Sequence, residues 1–201
     1  QGACRLVKLC FRQGGAAGYG LRRVLVDANG VKKGELKMGE QKSIQTVRVV
    51  LVAGPDEEVA IVRRIYREFV TDGKLKSEIA AGLNALGILT DYGRAWNRGT
   101  VHQVLTSEKY IGNNVYSRTS CKLKKKHVNN PPSEWVRADG VFAGIIEPEL
   151  FLKAQEIILA RSRKYTNEEM LEHLRAVLLK HGRISGILID AAEDLPSSTA
   201  V

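Results

Sequence analysis

Cysteine is scarce in this sequence, and its spacing argues against two kinds of small domain. The 201 residues include only Cys4, Cys10 and Cys121, an odd number with no C-x-x-C pair. A disulfide framework needs cysteines that can pair, and a zinc ribbon needs closely spaced pairs of them. Neither is therefore predicted, and no metal or other cofactor is expected. A reducing, cytoplasmic compartment suits these thiols best.

Long apolar runs are also missing. No stretch approaches the roughly 20 apolar residues that cross a bilayer, and the first residues lack a signal-peptide pattern. No membrane partner is therefore expected. Internal repeats and low-complexity tracts are absent too, and Gln1 in place of Met suggests a processed product or an excised fragment.

Acidic residues are too few to balance the basic ones. The chain has 31 Lys and Arg against 22 Asp and Glu, a net charge of +9, while 44% of its residues are hydrophobic. A globular protein with such an excess suits an acidic polymer, and nucleic acid is the leading candidate. An anionic membrane and a basic protein with no such partner are the alternatives.

The stretch from Gly73 to Gly112 organises the rest of the chain. Its first apolar residues recur at helical spacing, and Gly87 then supplies a residue suited to ending a helix in the left-handed conformation. This spacing predicts a short amphipathic helix whose buried stripe is Ile79, Ala80, Leu83 and Leu86. A loop with Asp91, Tyr92-Gly93 and Trp96 follows it.

A second helix is predicted from Asn97 to Ser107. Asn97 can cap it, and Val101, Val104 and Leu105 form its inward face. The other face carries Arg98, His102, Gln103 and Thr106. Arg and Gln side chains match guanine and adenine edges in a major groove that admits a helix, so we interpret this element as a recognition helix. An ordinary amphipathic helix is the alternative, since the preceding loop is longer than that of a tight helix-turn-helix.

The amino-acid sequence of this region resembles that of the recombinase domain of large serine recombinases. The shared landmarks, in order, are Ile79-Ala80, Leu83-Asn84, Gly87-Ile88, Gly93 with Trp96, Thr100-Val101 and Tyr110-Ile111-Gly112. The resemblance covers roughly residues 14 to 162. It implies a DNA-binding region that works with a separate catalytic domain.

The resemblance also implies what this chain would not do. The family cuts DNA with a serine in a catalytic domain at the start of its chains, and nothing here matches that domain, so no enzyme activity is expected. The zinc ribbon of many members is not carried over, because its cysteines are missing. The parent recombinase is expected to form dimers or tetramers mainly through the missing part, which allows this fragment to be a monomer.

The chain before residue 56 is predicted to form an arm followed by two strands. Residues 1–20 are predicted to be a linker or a flexible basic arm, and Leu21–Val26 and Gln45–Val52 are predicted strands. Arg22 and Arg23 are predicted to contact the DNA backbone. A solvated linker is the alternative for this arm. Pro55 is predicted at the first position of a helix with the buried stripe Val59, Val62, Ile65, Tyr66 and Phe69.

A basic hairpin is predicted after the recognition helix. Asn114–Arg118 and Trp135–Arg137 read as short strands, and the loop between them is rich in lysine. The lysines predicted to contact phosphates are Lys122, Lys124, Lys125 and Lys126. Each lysine that reaches a phosphate releases counterions, so such a wing strengthens the salt dependence of binding. An exposed loop without a partner is the alternative.

We therefore predict an α+β, mostly helical fold with a helix-turn-helix or winged-helix-like core and small β-hairpins. The domains are expected at 1–20, 21–164 and 165–201, the last of these opening a second small helical unit. Double-stranded DNA is the expected partner. A winged-helix transcriptional regulator, an RNA-binding domain and a metal-dependent nuclease built from His102, Asn113 and His127 are the alternatives.

Overall fold

The computed structural model describes residues 2–12, 14–37, 39–40, 47–120, 128–162 and 166–184. The chain divides into two compact units, Gln1–Ile157 and Ile158–Val201. This division falls inside a helix, and the domain limits predicted from the sequence stay predictions. None of the helices in the described ranges is long and apolar enough to cross a membrane.

The first unit opens with a short helix and a small antiparallel sheet. Helix α1 covers Gly2–Lys8. The strands β1 (Leu21–Val26), β2 (Lys32–Leu36) and β3 (Arg48–Ala53) follow, in the spatial order β2-β1-β3. The first predicted strand is confirmed. The second begins at residue 48 instead of 45, and residues 45 and 46 lie outside the described ranges.

Helix α2, Asp56–Val70, is the scaffold of the first unit. Its predicted stripe is confirmed, because Val59, Val62, Ile65, Tyr66 and Phe69 are all buried. One detail of the prediction was wrong: Pro55 is the N-cap residue with ψ of 143°, not the first helical residue. The first turn therefore consists of Asp56, Glu57 and Glu58, whose charges suit the positive end of the helix dipole.

Helices α3 (Lys76–Ala85) and α4 (Arg98–Thr106) confirm the two predicted helices. The prediction that Leu86 belongs to the buried stripe was wrong, because Leu86 is 59% exposed. The helix ends at Ala85, and Gly87 then takes a positive φ of 68°, so Leu86 no longer lies on the helical face.

The segment after α4 builds two short hairpins. A 3-10 turn covers Glu108–Ile111, and β4 (Asn114–Tyr116) pairs antiparallel with β7 (Val136–Ala138). This pairing confirms the predicted hairpin with slightly shifted bounds. Inside it, β5 (Thr119–Ser120) pairs with β6 (Val128–Asn129). The lysine-rich loop at 121–127 lies outside the described residues.

Gly112 explains one landmark of the sequence. Its φ is +89°, and a Cβ atom at this position would collide with the backbone oxygen of Phe142. Only glycine tolerates both conditions. The chain can therefore return from the 3-10 turn close to residues 142–144.

Helix α5 covers Pro148–Arg161, and α6 covers Asn167–His181. On α5, Phe151 and Ala154 are buried, while Leu150, Ile157 and Ile158 are only half-buried. Thr166 caps α6, and Gly182 ends it with a φ of 68°. On α6, Val177 is buried but Leu171 and Leu178 are largely exposed.

These elements confirm the predicted fold class, which is α+β and mostly helical with small antiparallel sheets. Residues 185–201, which belong to the second small helical unit expected at 165–201, lie outside the described residues. The core of the first unit lies where α2, α3, α4 and the start of α5 place their apolar side chains.

Candidate DNA interface

Helix α4 is held firmly at both ends. The Oδ1 atom of Asn97 accepts a hydrogen bond from the Thr100 amide at 3.0 Å, and Oγ1 of Thr100 accepts one from the Asn97 amide at 2.9 Å. At the other end, the buried hydroxyl of Tyr66 donates to the carbonyl oxygen of Val104 at 3.0 Å. Val101 and Leu105 are fully buried. The outward face of α4 is therefore presented in one orientation.

The connection between α3 and α4 is also fixed. The side-chain amide of Asn84 donates to the Trp96 carbonyl at 2.9 Å, and its oxygen accepts from the Trp96 amide at 2.8 Å. Trp96 is only 4% exposed, and its ring meets Tyr19 edge to face at 5.0 Å. In the sequence, Asn84 stood out only as one of the residues that carry the family resemblance. No local sequence pattern predicted that its side chain would bond to the backbone of Trp96.

The four predicted base-reading residues share one side of α4. Arg98, His102 and Gln103 are exposed, and Thr106 is half-buried. The hydroxyl of Thr106 donates to the carbonyl of His102 at 2.8 Å, which leaves its oxygen as an acceptor. His102 lies toward α3, where its Nδ1 atom is 3.3 Å from Nζ of Lys76. The structure brings these residues together, and their contacts with bases stay predictions.

A cleft of about 680 Å³ runs beside this face. Gln103 and Thr106 line it from α4, and Tyr92, Arg94 and Arg118 line it from the surrounding loops. The turn that carries Tyr92 and Arg94 is built on Thr90, whose hydroxyl accepts the Arg94 amide at 3.2 Å. Cationic side chains therefore border the cleft beside α4.

Three arginines around this face are available for an anion. In the part of the chain that the structure describes, Arg94, Arg98 and Arg118 have no carboxylate within 4.0 Å. The guanidinium of Arg118 lies 4.9 Å from the centre of the Trp135 ring, which holds it at the base of the hairpin. Sequence reasoning did not select Arg94 or Arg118, since neither belongs to a basic cluster.

The predicted backbone-contact residues are placed differently. Arg22 donates to both carboxylate oxygens of Glu58, at 2.9 and 2.6 Å, and lies 3.5 Å from Glu35. Its charge is therefore already paired, and this hydrogen bonding lowers the pKa of Glu58. Arg23 donates to the carbonyl of Lys37. Lys122, Lys124, Lys125 and Lys126 lie outside the described residues, and all six assignments stay predictions.

The glycine-rich segment expected to be a flexible arm packs within the first unit, against residues 109–114. Nζ of Lys109 donates to the carbonyl of Ala17 at 2.7 Å, and the hydroxyl of Tyr110 donates to that of Tyr19 at 3.0 Å. Asn114 accepts a hydrogen bond from the guanidinium of Arg12 at 3.2 Å. Burial lowers the pKa of Lys109 to about 8. These contacts position the segment beside the cleft.

No group of acidic, histidine and cysteine residues suited to a metal ion occurs within the described ranges. Asn113, which the nuclease alternative requires, is nine-tenths buried and bonded to Glu108 and to the backbone of Gly140. His127, its third member, lies outside those ranges. The described part of the chain therefore offers that alternative no support.

Comparison with known proteins gives one family match. The family model described as Recombinase matches residues 56–161, just over half of the chain. The match begins at the first residue of α2 and ends at the last residue of α5. It therefore contains α3, α4 and both hairpins. The search of curated proteins finds no match.

Two solved structures are also similar. One, described as "Crystal Structure of a LSR-DNA Complex", is 18% identical with a TM-score of 0.48, and the match covers 88% of this chain and 43% of that one. The other, described as "Sequence Requirements of the Listeria innocua prophage attP site", is 19% identical with a TM-score of 0.47, and covers 88% and 56%. This chain thus spans about half the length of each. Both TM-scores lie below 0.5, so neither likeness supports a functional assignment.

Proposed function

This chain belongs to the Recombinase family, and from that premise we propose that it binds double-stranded DNA sequence-specifically, with α4 as its recognition helix. The observation that carries the proposal is the outward face of α4. It places Arg98, His102 and Gln103 in solvent on a helix whose opposite face is buried. An α-helix fits the major groove, where such side chains discriminate base pairs.

Each residue of this face has a chemical preference. Arg98 suits guanine, whose O6 and N7 atoms accept two parallel hydrogen bonds, and Gln103 suits the N6 and N7 atoms of adenine. The oxygen of Thr106 suits a donor, or its methyl group a thymine methyl. Arg98 and Gln103 are separated by about a turn and a half of helix, so they would contact neighbouring base pairs.

Backbone contacts come from the borders of the same face. Arg94 and Arg118 are exposed and flank the cleft beside α4, which suits the phosphates on either side of a groove. The four lysines at 122–126 would extend the contact along the hairpin. Arg22 and Arg23 keep this assignment, and the guanidinium of Arg22 also pairs with Glu58 and Glu35.

Membership of the family suggests a role for this binding. In a recombinase, a DNA-binding region would place a separate catalytic domain on its half-site for integration, excision or inversion. This chain would then cut no DNA by itself, would work in the cytoplasm and would bind as a monomer. Residues 165–201 would begin a second small helical unit.

Selection from a random duplex library tests the proposal. The protein should enrich one long, asymmetric motif at moderate salt, because a single recognition helix and hairpin have no internal symmetry. A palindromic motif would indicate a dimeric transcriptional regulator instead, since protein two-fold symmetry is mirrored in the site. Absence of any enriched motif would refute sequence-specific binding.

A further inference from the structure

Lys76 of α3 and His102 of α4 meet at the edge of the recognition face. The Nζ atom of Lys76 lies 3.3 Å from Nδ1 of His102. It also lies 5.9 Å from the ring centre of Phe69, a fully buried residue of α2. The ammonium group therefore lies close to both a core aromatic ring and the imidazole.

The chemistry of the two groups determines where the imidazole proton lies. An ammonium group carries three donors and no acceptor, so Nδ1 of His102 must accept. The ring is then neutral and carries its proton on Nε2. Partial burial is the main cause that lowers the pKa of His102. The positive charges of Lys76 and Arg98, which face the ring, lower the pKa further. The neutral ring is therefore the dominant form at neutral pH.

We propose that Lys76 is a specificity-determining residue that acts by positioning: it holds His102 in the tautomer that presents only an Nε2–H donor to a base. This inference rests on the proposed function of α4. Without Lys76, a neutral imidazole can exchange tautomers and present either a donor or an acceptor from the same ring position. Lys76 therefore restricts the neutral imidazole of His102 to one tautomer, the one that donates from Nε2.

The consequence is a preference for bases that accept. Guanine offers O6 and N7, and thymine offers O4, whereas cytosine offers the N4 donor in the major groove. We expect the wild-type protein to discriminate against cytosine at the position that His102 contacts by about tenfold, within the range of single base contacts. Lys76→Met should reduce this ratio to about twofold near pH 8, because the acceptor tautomer becomes available.

The tautomer can be measured on the free protein. A two-bond proton–nitrogen correlation spectrum of the histidine rings, assigned with His102→Gln, shows which ring nitrogen is protonated. We expect protonation on Nε2 alone in the wild type and in Lys76→Arg, whose guanidinium also only donates, and a tautomer mixture in Lys76→Met. A proton on Nδ1 in the wild type, or an unchanged spectrum in Lys76→Met, would overturn the inference. Neither result would contradict the proposal that α4 binds DNA.

The effect on specificity has a pH signature of its own. At an acidic pH that protonates the imidazole of Lys76→Met, both ring nitrogens donate, so discrimination against cytosine should return. Wild type and Lys76→Arg should discriminate at both pH values. Lys153→Met, which removes one positive charge from an exposed position on α5, is the matched control and should keep the wild-type ratio at both.

Two results on DNA would count against the inference. If Lys76→Met weakens binding to all duplexes equally at both pH values, Lys76 contributes only its charge. If the wild-type protein enriches no sequence, the proposed function fails and the base-reading half of the inference fails with it. The spectrum of the free protein still decides whether Lys76 fixes the tautomer.

Discussion

Arg22 and Glu58 join the first sheet to the scaffold helix of the recombinase fold. The guanidinium donates to both carboxylate oxygens, at 2.9 and 2.6 Å, and the same carboxylate accepts the Gly20 amide at 3.1 Å. Both side chains are less than a third exposed, at 29% and 25%. The hydrogen bond from Arg22 is the main cause of the lowered pKa of Glu58. This residue pair therefore connects β1 to the first turn of α2.

Glu58→Gln should lower the free energy of unfolding by about 1–2 kcal/mol at neutral pH, since it weakens charge-assisted hydrogen bonds in a partly buried place. Because the folded pKa of Glu58 is lowered, its contribution is present above the unfolded pKa and is lost as pH falls through the folded pKa. The difference between variant and wild type should therefore shrink in acid. Urea unfolding at neutral pH and near pH 3 measures this.

Glu57→Gln is the matched control for that prediction. It removes the same charge from the same helix turn at an exposed position, so it loses a comparable interaction with the helix dipole but no bond to Arg22. An equal loss of stability in both variants would show that the dipole, and not Arg22, accounts for the effect.

The link between Asn84 and Trp96 leads to a second prediction. Asn84→Ala removes both hydrogen bonds to the Trp96 backbone, and we expect it to destabilise the fold by about 1–3 kcal/mol. Amide hydrogen exchange at Trp96 should accelerate more than exchange within α2. Ser77→Ala, at an exposed position of the same helix, should change neither quantity; unchanged exchange at Trp96 in Asn84→Ala would mean that other contacts order this loop.

A third prediction concerns alkaline pH. Burial lowers the pKa of Lys109 to about 8, so between about pH 8 and 10.4 the unfolded chain binds more protons at this site than the folded one. Stability should therefore rise by about 2 kcal/mol from this residue between pH 8 and 10. Lys109→Met should lose this rise, as measured by urea unfolding across that range.

Two buried tyrosines limit the pH range over which this rise in stability can be seen. Burial raises the pKa of Tyr66 and of Tyr110, so above about pH 10 the unfolded chain loses protons that the folded chain keeps. Stability should fall there in both wild type and Lys109→Met. A rise that is equally large in the variant would show that the general loss of positive charge, not Lys109, causes it.

The backbone contacts give a fourth prediction. Changing Lys122, Lys124, Lys125 and Lys126 to Ala, or changing Arg94 and Arg118 to Ala, should lower affinity for all duplexes while leaving the enriched motif intact. Each lost phosphate contact should reduce the slope of log affinity against log salt by about 0.9. Arg67→Ala, which removes an exposed arginine from α2, is the control and should leave the slope unchanged.

Local signals in the sequence predicted the elements well. The apolar spacing of α2 and the cap at Asn97 depend on neighbouring residues, and the structure confirms them. The errors at Pro55 and Leu86 concern helix ends, where a shift of one residue moves a side chain from one face to another.

The long-range contacts could not be predicted in this way. Arg22 meets Glu58 across 36 residues, and Lys109 reaches Ala17 across 92. No periodicity links such positions, so Arg22 looked like a free cation and residues 14–20 looked like a free arm. The candidate face of α4 was predictable because helical spacing alone separates its two sides.

A nuclear magnetic resonance titration with the selected duplex tests whether α4 reads the DNA. Side-chain signals of Arg98, His102 and Gln103 should shift strongly in slow or intermediate exchange, and those of Arg63 and Arg67 on α2 should not. The same shifts should largely vanish with an unrelated duplex at equal salt. Strong shifts confined to α2, or equal shifts with both duplexes, would contradict the assignment of α4 as the recognition helix.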